Sequence, residues 1–485
     1  MDRMQSCLTE IDAFLAVGDI AKAKSLLRRL PLTKISRANL AHFAKTARRC
    51  GLPELSLRIL SPIVRPKHAL LRPANTGEMA EYSAALVRVG AVVEAENILS
   101  TLNPGRCPDA LLFQCYALMT KWNYRDTIPL LKRFLLVGLP TRDEVLGKLN
   151  LAAALVHERD WKEAASLLEH LREKTKSLGW MGLTGSAWEL TAQFHYFRGE
   201  FGSAQSAVQE AKHLLNASPN LDSFFVKKWE ALIEASTSSS SDRFEKTLKV
   251  REEAVYRRHW ETIRDVDRHL AILQKDAVLW MKVYFGTPSE AFRQRLFLDS
   301  GFPLQRTNHY LWKPGPEMES TLDLRSPEFC EFRGINLSLL LALSSDFYRS
   351  FTVAHLHNSI HPDQYYNLET SPSRIHQAMS QLRRALKSSK VPLKVDCTGG
   401  HYKISEQGRV SIHVSDRSLK THANPPHWGK ILEFAKRGEF NSRELSKFIG
   451  ISPRTTIRLL GTLNDEGRVI KAGVGKATRY SVKLK

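Results

Sequence analysis

The amino-acid sequence predicts a mainly α fold, in which helical hairpins repeat along the N-terminal part and two small α/β units follow. Three observations lead to this prediction. Small and large apolar residues recur at a regular interval over residues 1–220, short strand patterns begin after residue 308, and residues 427–485 combine three helix patterns with a hairpin. With 485 residues and a hydrophobic content of 43%, the chain is long enough for about three domains with cores of their own.

Residues 1–220 contain six turn positions that lie 32 to 40 residues apart: Gly18, Gly51, Gly90, Trp122, Arg159 and Gly199. The residue five positions after each turn is small: Ala23, Ser56, Ala95, Thr127, Ala164 and Ala204. The residue seven positions before each turn after the first is also small: Ala44, Ser83, Cys115, Ala152 and Ala192. Small residues let two antiparallel helices approach closely, so these columns predict helical hairpins. The pattern resembles a degenerate tetratricopeptide-type solenoid.

A solenoid of this type stacks unit on unit and exposes a concave surface. The resemblance implies that this groove holds a protein, a peptide or a small ligand. The alternative is a spacer, or a module through which the chain forms a homo-oligomer. Residues 221–305 keep the helical spacing, for example at Ile263, Val266 and Leu270, and we expect further hairpins there that close the solenoid.

Residues 308–412 form the first predicted α/β unit. Strand patterns at 310–312, 321–324 and 329–332 precede helix patterns at 335–343 and 353–360. A third helix begins at Ser371-Pro372, a good N-cap followed by a good first helical residue. This helix buries one stripe, formed by Ile375, Met379, Leu382 and Leu386. Two further strands, 393–395 and 401–404, flank a turn at Gly399-Gly400.

The segments 380–386, Ser-Gln-Leu-Arg-Arg-Ala-Leu, and 398–402, Thr-Gly-Gly-His-Tyr, carry a family resemblance. They resemble the recognition helix and the wing of the OmpR-type winged helix of bacterial response regulators and antibiotic regulatory proteins. The resemblance implies DNA contacts at Ser373, Arg374, Gln377, Gln381, Arg384 and Lys387. Gln381 stands where that family often has Arg. The alternative is a degenerate winged helix that pairs with protein.

Residues 413–426 are predicted as a linker that ends in Pro425-Pro426, and residues 427–485 as the second α/β unit. Asn441 and Glu444 form an Asn-x-x-Glu capping box, and Ser452-Pro453 starts the third helix. This helix is predicted to bury Ile457, Leu460 and Leu463. Strands at 469–471 and 479–482 flank a glycine-rich tip at 473–476.

This order of helices, turn and hairpin resembles the winged helix-turn-helix domains of bacterial repressors. In that family the N-terminal part of the third helix meets base edges in the major groove. The resemblance implies a set of base-contacting candidates: Ser452, Arg454, Thr455, Thr456 and Arg458. It also implies phosphate contacts beside the wing, at Lys471, Lys476 and Arg479. The alternative is a small helical domain with a solvated basic face.

The charge balance favours a polyanionic partner. The net charge is +21, and residues 322–485 alone carry 26 Lys and Arg against 14 Asp and Glu, a net charge of +12. Such an excess is typical of nucleic-acid binding, so double-stranded DNA is the expected partner. No stretch has the length of a membrane span. The N-terminus lacks the apolar core of a secretory signal, and six scattered cysteines fit a reducing cytoplasm.

Catalytic and cofactor motifs are not found, so we expect neither an enzyme nor a cofactor. The sequence has no Gly-x-Ser-x-Gly and no His-Glu-x-x-His. His355, His357 and His361 cluster without a cysteine or paired carboxylate at metal spacing, so no metal site is expected. The segment 473–478 lacks the upstream glycine of a phosphate-binding loop, and no phospho-acceptor receiver domain precedes the winged-helix patterns.

These observations predict a mainly α chain, an N-terminal antiparallel helical-repeat solenoid followed by two small α/β winged-helix domains. The leading hypothesis is a bacterial, cytoplasmic, sequence-specific transcriptional regulator whose helical repeats bind an effector or oligomerise. A second hypothesis is a scaffold that uses the winged helices for protein contacts and has no salt-dependent DNA affinity. A third is a plasmid-type replication initiator, which the solenoid argues against because such initiators are usually compact.

Overall fold

The computed structural model describes residues 3–16, 19–30, 35–66, 72–215, 221–300, 309–312, 320–323, 332, 334–406, 410–415, 428–436, 438–465, 469–473 and 478–482. The chain divides into two compact units, Met1–Asp416 and Arg417–Lys485. Both are mainly helical with small sheets in the C-terminal part, as the sequence predicts. Within the described ranges, no helix has the length and apolar character needed to cross a membrane.

In the described residues up to 300, the regular elements of the larger unit are helices. They are α1 (Arg3–Ala16), α2 (Ile20–Arg29), α3 (Leu40–Arg49), α4 (Pro53–Val64), α5 (Thr76–Val89), α6 (Val92–Ser100), α7 (Asp109–Met119), α8 (Tyr124–Leu135), α9 (Thr141–Glu158), α10 (Trp161–Ser177), α11 (Met181–Phe197), α12 (Phe201–Leu215), α13 (Leu221–Thr237), α14 (Glu245–Tyr256), α15 (Trp260–Leu273), α16 (Ala277–Phe285) and α17 (Glu290–Ser300). Consecutive helices pack on each other from α1 to α2 and from α3 to α16, and α9, α11, α13, α15 and α17 also contact one another in series. The arrangement is therefore helical-repeat-like.

The predicted turn positions share one unusual backbone conformation. Gly51, Gly90, Trp122, Arg159 and Gly199 all have positive φ, between 57° and 98°, whereas Gly18 lies outside the described residues. This left-handed conformation reverses the chain directly after a helix. Two turns that the pattern did not include, at Arg258 and Lys275, repeat it with φ of 56° and 55°.

The small residues of the predicted columns are completely buried. All members have a relative exposure of 0%: Ala23, Ser56, Ala95, Thr127, Ala164 and Ala204 in one column, and Ala44, Ser83, Cys115, Ala152 and Ala192 in the other. A larger side chain at these positions would force the two helices of a hairpin apart. The columns therefore mark the helix–helix contacts, as predicted from the sequence.

Helix α15 is the most unusual element of the core, because ionisable side chains are buried on it. Arg264, Asp265, Asp267, Arg268 and His269 are each no more than 5% exposed. Burying an ion costs several kcal/mol unless it is paired. Each charge therefore has a partner on another element, as the four pairs that follow show.

Three of these ion pairs join α15 to other helices. Lys228 Nζ of α13 lies 2.8 Å from Asp265 Oδ2, and Arg268 pairs with Asp299 of α17. Arg251 Nε of α14 lies 2.5 Å from Asp267 Oδ1. A fourth pair joins α15 to a later segment, since Arg264 Nη2 lies 2.5 Å from Asp346 Oδ2.

The buried position of α15 shifts the titration of its side chains. Burial lowers the pKa of His269 to about 4, although the Asp265 carboxylate opposes the shift. Burial by itself raises the pKa of Asp265, but the charges of Lys228 and Arg268 outweigh it, so the pKa lies below its ordinary value. His269 is consequently neutral and Asp265 ionised at neutral pH.

The second part of the larger unit combines three helices with two three-stranded sheets. Its elements are β1 (His309–Trp312), β2 (Ser320–Asp323), α18 (Ile335–Leu343), β3 (Phe351–Thr352), α19 (Val353–Ile360), α20 (Ser371–Ser388), β4 (Leu393–Thr398), β5 (His401–Glu406) and β6 (Val410–Ser415). One sheet has the order β1-β6-β2, with Ile412 of β6 between antiparallel Trp312 and parallel Leu322. The other is antiparallel with the order β3-β5-β4.

The predicted helices at 335–343 and 353–360 match α18 and α19 residue for residue. Strands β3 and β6 were not predicted, and β6 extends to Ser415, into the range predicted as a linker. Of the predicted strand 329–332, only Phe332 lies within the described residues, where it forms a buried bend.

Among its described residues, the smaller unit has three helices and a hairpin. They are α21 (Trp428–Ala435), α22 (Ser442–Ile449), α23 (Pro453–Asp465), β7 (Val469–Ala472) and β8 (Arg479–Val482). Phe440 adds an antiparallel bridge to Tyr480, with backbone hydrogen bonds of 2.8 and 3.0 Å. The core consists of Ile431, Phe440, Leu445, Ile449, Leu460, Leu463, Val469 and Tyr480.

Replacing Ala164 by Leu should destabilise the protein by about 1–3 kcal/mol, because the extra atoms have no space between the helices. Its neighbour Ala165 is exposed on the same helix, so Ala165→Leu is a matched control that should change the free energy of unfolding by less than about 0.5 kcal/mol. Denaturant unfolding of the two variants and the unsubstituted protein measures the difference. Equal stability of both variants would contradict the packing assigned to this column.

Replacing His269 by Gln should weaken the loss of stability in acid. In the unfolded chain a histidine binds a proton below about pH 6.5, whereas in the folded protein His269 does so only near its pKa of about 4. Between these two pH values the unfolded state binds more protons than the folded state. The free energy of unfolding therefore falls as the pH decreases from about 6.5 to 4. Between pH 7 and pH 5 this loss should be about 2 kcal/mol smaller in the variant.

Urea unfolding at pH 7, 6 and 5 measures this dependence. The exposed His213 provides the control, since His213→Gln should keep the pH dependence of the unsubstituted protein. An identical acid response of the two variants would show that His269 is not held neutral in the fold.

Candidate nucleic-acid interface

Helix α20 exposes one continuous polar face. Its apolar stripe of Ile375, Met379, Leu382 and Leu386 is at most 2% exposed and belongs to the large core. The helical period therefore turns the opposite side outward. All six predicted contact residues on this helix are exposed: Ser373, Arg374, Gln377, Gln381, Arg384 and Lys387.

The two adjacent arginines of the predicted motif have different surroundings. Arg383 donates from Nε to the Val395 carbonyl of β4 at 3.0 Å, and its guanidinium lies 5.9 Å from the centre of the Tyr402 ring. Arg384 reaches only the Ser380 carbonyl of its own helix, at 3.4 Å. Arg383 thus fixes the helix to the β4–β5 hairpin, whereas Arg384 stays on the exposed face.

The hairpin β4–β5 turns at Gly399 and Gly400, which both have positive φ, 59° and 77°. A two-residue turn with this backbone matches the twist of an antiparallel hairpin. Its tip lies beside the helical part of the same unit, because a Cβ at Gly399 would come within 3.2 Å of Arg258 Nη1. Arg258 therefore adds a positive charge at the tip, which the sequence analysis missed since Arg258 lies far away in the chain.

Helix α19 and the loop after it are held by the hairpin α5–α6. Helix α6 has no side-chain N-cap of its own, and the Asn358 Oδ1 of α19 accepts from its Val93 N–H at 2.9 Å. Thr352 Oγ1 donates to the last carbonyl of α5, that of Val89, at 2.7 Å. The backbone groups that the ends of α5 and α6 leave unpaired thus find hydrogen-bond partners in a segment about 260 residues further along the chain.

The loop 361–370 adds a hydrogen bond to a buried carboxylate of α6. Tyr366 donates its backbone N–H to Glu94 Oε2 at 2.6 Å, and Glu94 is 5% exposed. Burial raises the pKa of Glu94, which the Tyr366 N–H and the Arg65 guanidinium oppose. The segment that leads into α20 is therefore fixed to the helical repeats on both sides of α19.

Helix α23 begins with the capping arrangement that the sequence predicts. In the preceding helix, Asn441 accepts from the Glu444 N–H at 2.9 Å while Glu444 accepts from the Asn441 N–H at 2.9 Å. Gly450 ends that helix with a φ of 75°. Ser452 Oγ then accepts from the Thr455 N–H at 3.2 Å, which starts α23.

The exposed face of α23 differs by one residue from the predicted face. Ser452, Arg454, Thr455 and Arg458 are exposed. Thr456, predicted to contact bases, is 0% exposed and donates its hydroxyl to the Ser452 carbonyl at 3.1 Å, so it cannot reach a base edge. Ile457, predicted in the core, is 53% exposed.

The helical period explains why Thr456 is buried and Ile457 is exposed. Positions 456, 460 and 463, at spacings of 4 and 3, follow one stripe of a 3.6-residue helix better than 457, 460 and 463 do. A buried threonine satisfies its hydroxyl within the helix, which removes the cost of burying it.

The hairpin β7–β8 presents two of the three predicted basic residues beside the wing. Lys471 and Arg479 are both exposed, and Lys476 lies outside the described residues. The Lys471 N–H donates to Asn464 Oδ1 of α23 at 3.1 Å, which joins the hairpin to the helix. Arg479 Nη1 lies 3.6 Å from Glu444 Oε2 in an exposed ion pair, which contributes little to stability.

No protein-family profile matches the chain, and no curated protein matches it. Within the described ranges, no group of three or more His, Cys, Asp or Glu has the arrangement of a metal site. The functional assignment therefore depends on the two exposed helix faces and the hairpins beside them.

Proposed function

We propose that the protein is a sequence-specific, double-stranded DNA-binding transcriptional regulator with two winged-helix surfaces. One consists of α20 and the β4–β5 hairpin, and the other of α23 and the β7–β8 hairpin. The observation that carries the proposal is the same in both: a helix buries an apolar stripe, exposes a polar and basic face, and is followed at once by an antiparallel hairpin.

The chemistry of the exposed faces supports base contacts. The major groove of DNA admits one helix, and arginine pairs with two acceptors of guanine while glutamine pairs with adenine. Helix α23 offers Arg454 and Arg458, and α20 offers Gln377, Gln381 and Arg384. Ile457 adds an exposed apolar group of the kind that contacts the thymine methyl.

The basic residues around these helices support phosphate contacts. Lys387, Lys471 and Arg479 are exposed next to the two faces. Phosphate contacts fix the orientation of a protein on DNA and make the affinity fall with salt. The net charge of +21 favours the same partner.

In this proposal the helical repeats form a tetratricopeptide-like solenoid that provides the regulatory input or the oligomer contact. The contacts of α19 with α5–α6 support this assignment, because they connect the repeats to the segment that positions α20. A change in the repeats can therefore reach α20 through α19.

The proposal is tested by titrating the full protein against pooled genomic fragments at several salt concentrations. A regulator retains a small set of fragments at physiological salt, and their sequences identify the target. Weak binding that is uniform across the fragments and disappears with salt would show that the protein is attracted to DNA only by non-specific charge. A protein-interaction scaffold would then be the better account.

Replacing both Arg454 and Arg458 by Ala should weaken binding to a retained fragment at least 10-fold, since each arginine–guanine pair contributes about 1–3 kcal/mol. Binding to unrelated DNA should fall much less. The control Lys430→Ala with Lys436→Ala removes the same charge from exposed positions on α21 and directly after it. Equal losses in the two double variants would show that α23 contributes charge alone.

Replacing Arg384 and Lys387 by Ala tests the surface on α20 separately. The affinity for a retained fragment should fall about 10-fold or more, and the slope of log affinity against log salt should decrease by about 1 for a lost phosphate contact. Arg133→Ala with Lys162→Ala removes one exposed Arg and one exposed Lys from the helical repeats and should leave the affinity nearly unchanged. Unchanged affinity in the α20 variant would assign that face to protein contacts instead.

A further inference from the structure

A cavity of about 460 Å³ lies inside the larger unit, between the helical repeats and the segment that leads into α20. Its wall includes the start of α6, the turn between α7 and α8, α15, the start of α17 and α19. Cavities of 300–1,000 Å³ are typical of sites for metabolite-sized ligands. None of the predicted DNA contacts lines this cavity.

Most ionic groups in the wall are already paired, and the carboxylate of Glu290 accepts from Gln294 Nε2 at 3.2 Å. Arg264 is bound by Asp346 and by Glu261, whose Oε2 lies 3.0 Å from Arg264 Nη1. Lys121 Nζ lies 2.6 Å from Glu96 Oε1. Among the described residues, the guanidinium of Arg349 has neither an ion pair nor a hydrogen bond, so its charge is available to a ligand.

Helix α19 supplies neutral polar groups next to this charge. Asn358 is 6% exposed, and while its Oδ1 accepts from the Val93 N–H, its Nδ2 has no acceptor within the described part of the chain. Burial, together with the Arg349 charge, lowers the pKa of His355 to about 4. His355 is therefore neutral and adds no competing cation at neutral pH.

Apolar side chains complete the wall, among them Val92, Val93 and Phe351. An unpaired guanidinium beside neutral polar groups and an apolar wall suits a molecule with one oxyanion and a small apolar body. We propose that this cavity binds a small organic anion, a carboxylate or a phosphate monoester, whose charged group pairs with Arg349.

The position of the cavity gives such a ligand a route to α20. His355 and Asn358 of α19 line the cavity, and Leu356 of the same helix belongs to the buried cluster that contains Ile375 and Met379 of α20. A ligand that contacts α6, α15 and α19 together stabilises the position of α19 on the repeats. An effect of the anion on DNA affinity rests on the proposed function, whereas binding of the anion to the cavity does not.

Isothermal titration calorimetry of the full chain with phenyl phosphate and with benzoate tests the site. We expect one of the two to bind with a stoichiometry of one, and which one binds distinguishes a phosphate ester from a carboxylate. Arg349→Gln should weaken this binding about 10-fold or more, because a charge-assisted contact is lost, and Arg349→Lys should restore part of it.

Two matched variants separate the cavity from general charge attraction. Arg142→Gln removes the same charge from an exposed position on α9 and should leave binding unchanged. Val93→Trp keeps Arg349 but fills the cavity from a residue that is 39% exposed, and it should weaken binding as Arg349→Gln does. Circular dichroism melts show whether each variant is folded. If Arg349→Gln is not folded, the binding measured for Val93→Trp and Arg349→Lys still tests whether the anion lies in the cavity beside Arg349.

The proposal is overturned if neither anion binds the unsubstituted protein, or if Arg349→Gln and Arg142→Gln weaken binding equally. Because the titration contains no DNA, its outcome is independent of whether the protein binds DNA. If the site binds its anion and no fragment is retained in the DNA titration, only the DNA-binding function is lost.

Discussion

The buried charges of α15 are the constraint on which the larger unit depends. Ions without water must be paired by nearby opposite charges, and removing one partner leaves the other unpaired at a cost of several kcal/mol. The partners of α15 come from α13, α14, α17 and the residue Asp346 after α18. These elements therefore hold one arrangement, since apolar packing tolerates small shifts that paired ions do not.

This constraint explains why the helical repeats and the α20 segment form one unit. Asp346 accepts from the Arg264 guanidinium and from the Tyr348 N–H, and the Tyr348 hydroxyl donates to Asp267 of α15 at 3.2 Å. The chain between α18 and α19 is thus fixed to the interior of the repeats. Helix α19 follows directly, and α20 packs on it. The exposed face of α20 is accordingly oriented by the repeats.

Local patterns in the sequence were sufficient to predict most of the elements, although not the strands β3 and β6. Turn residues such as Gly90 and Arg159, the small columns, and the Asn441–Glu444 capping box depend on neighbours within a few residues or on a repeated interval. On α23, Leu460 and Leu463 are buried as predicted, but Thr456 is buried in place of Ile457. A threonine can satisfy its hydroxyl inside a helix, so polarity alone does not exclude it from a core.

Contacts between distant segments could not be predicted in this way. The charges of α15 have the spacing of an ordinary solvated helix, and only the fold brings Lys228 and Asp346 to them. The same holds for the candidate cavity, because Arg349 and Val93 lie more than 250 residues apart. Conversely, the six residues of α20 predicted as contacts are all exposed, since a clear apolar stripe determines which face remains outside.

The contact between α19 and α6 shows how the fold makes this connection specific. An apolar contact would tolerate several positions of α19, whereas the free N–H at the start of a helix donates a hydrogen bond only within a narrow geometry. Helix α6 lacks its own side-chain cap, so Asn358 completes it, and Thr352 does the same for the carbonyl end of α5. If α19 moved away, both helix ends would lose these partners. The repeats and the segment that leads into α20 are therefore expected to shift together.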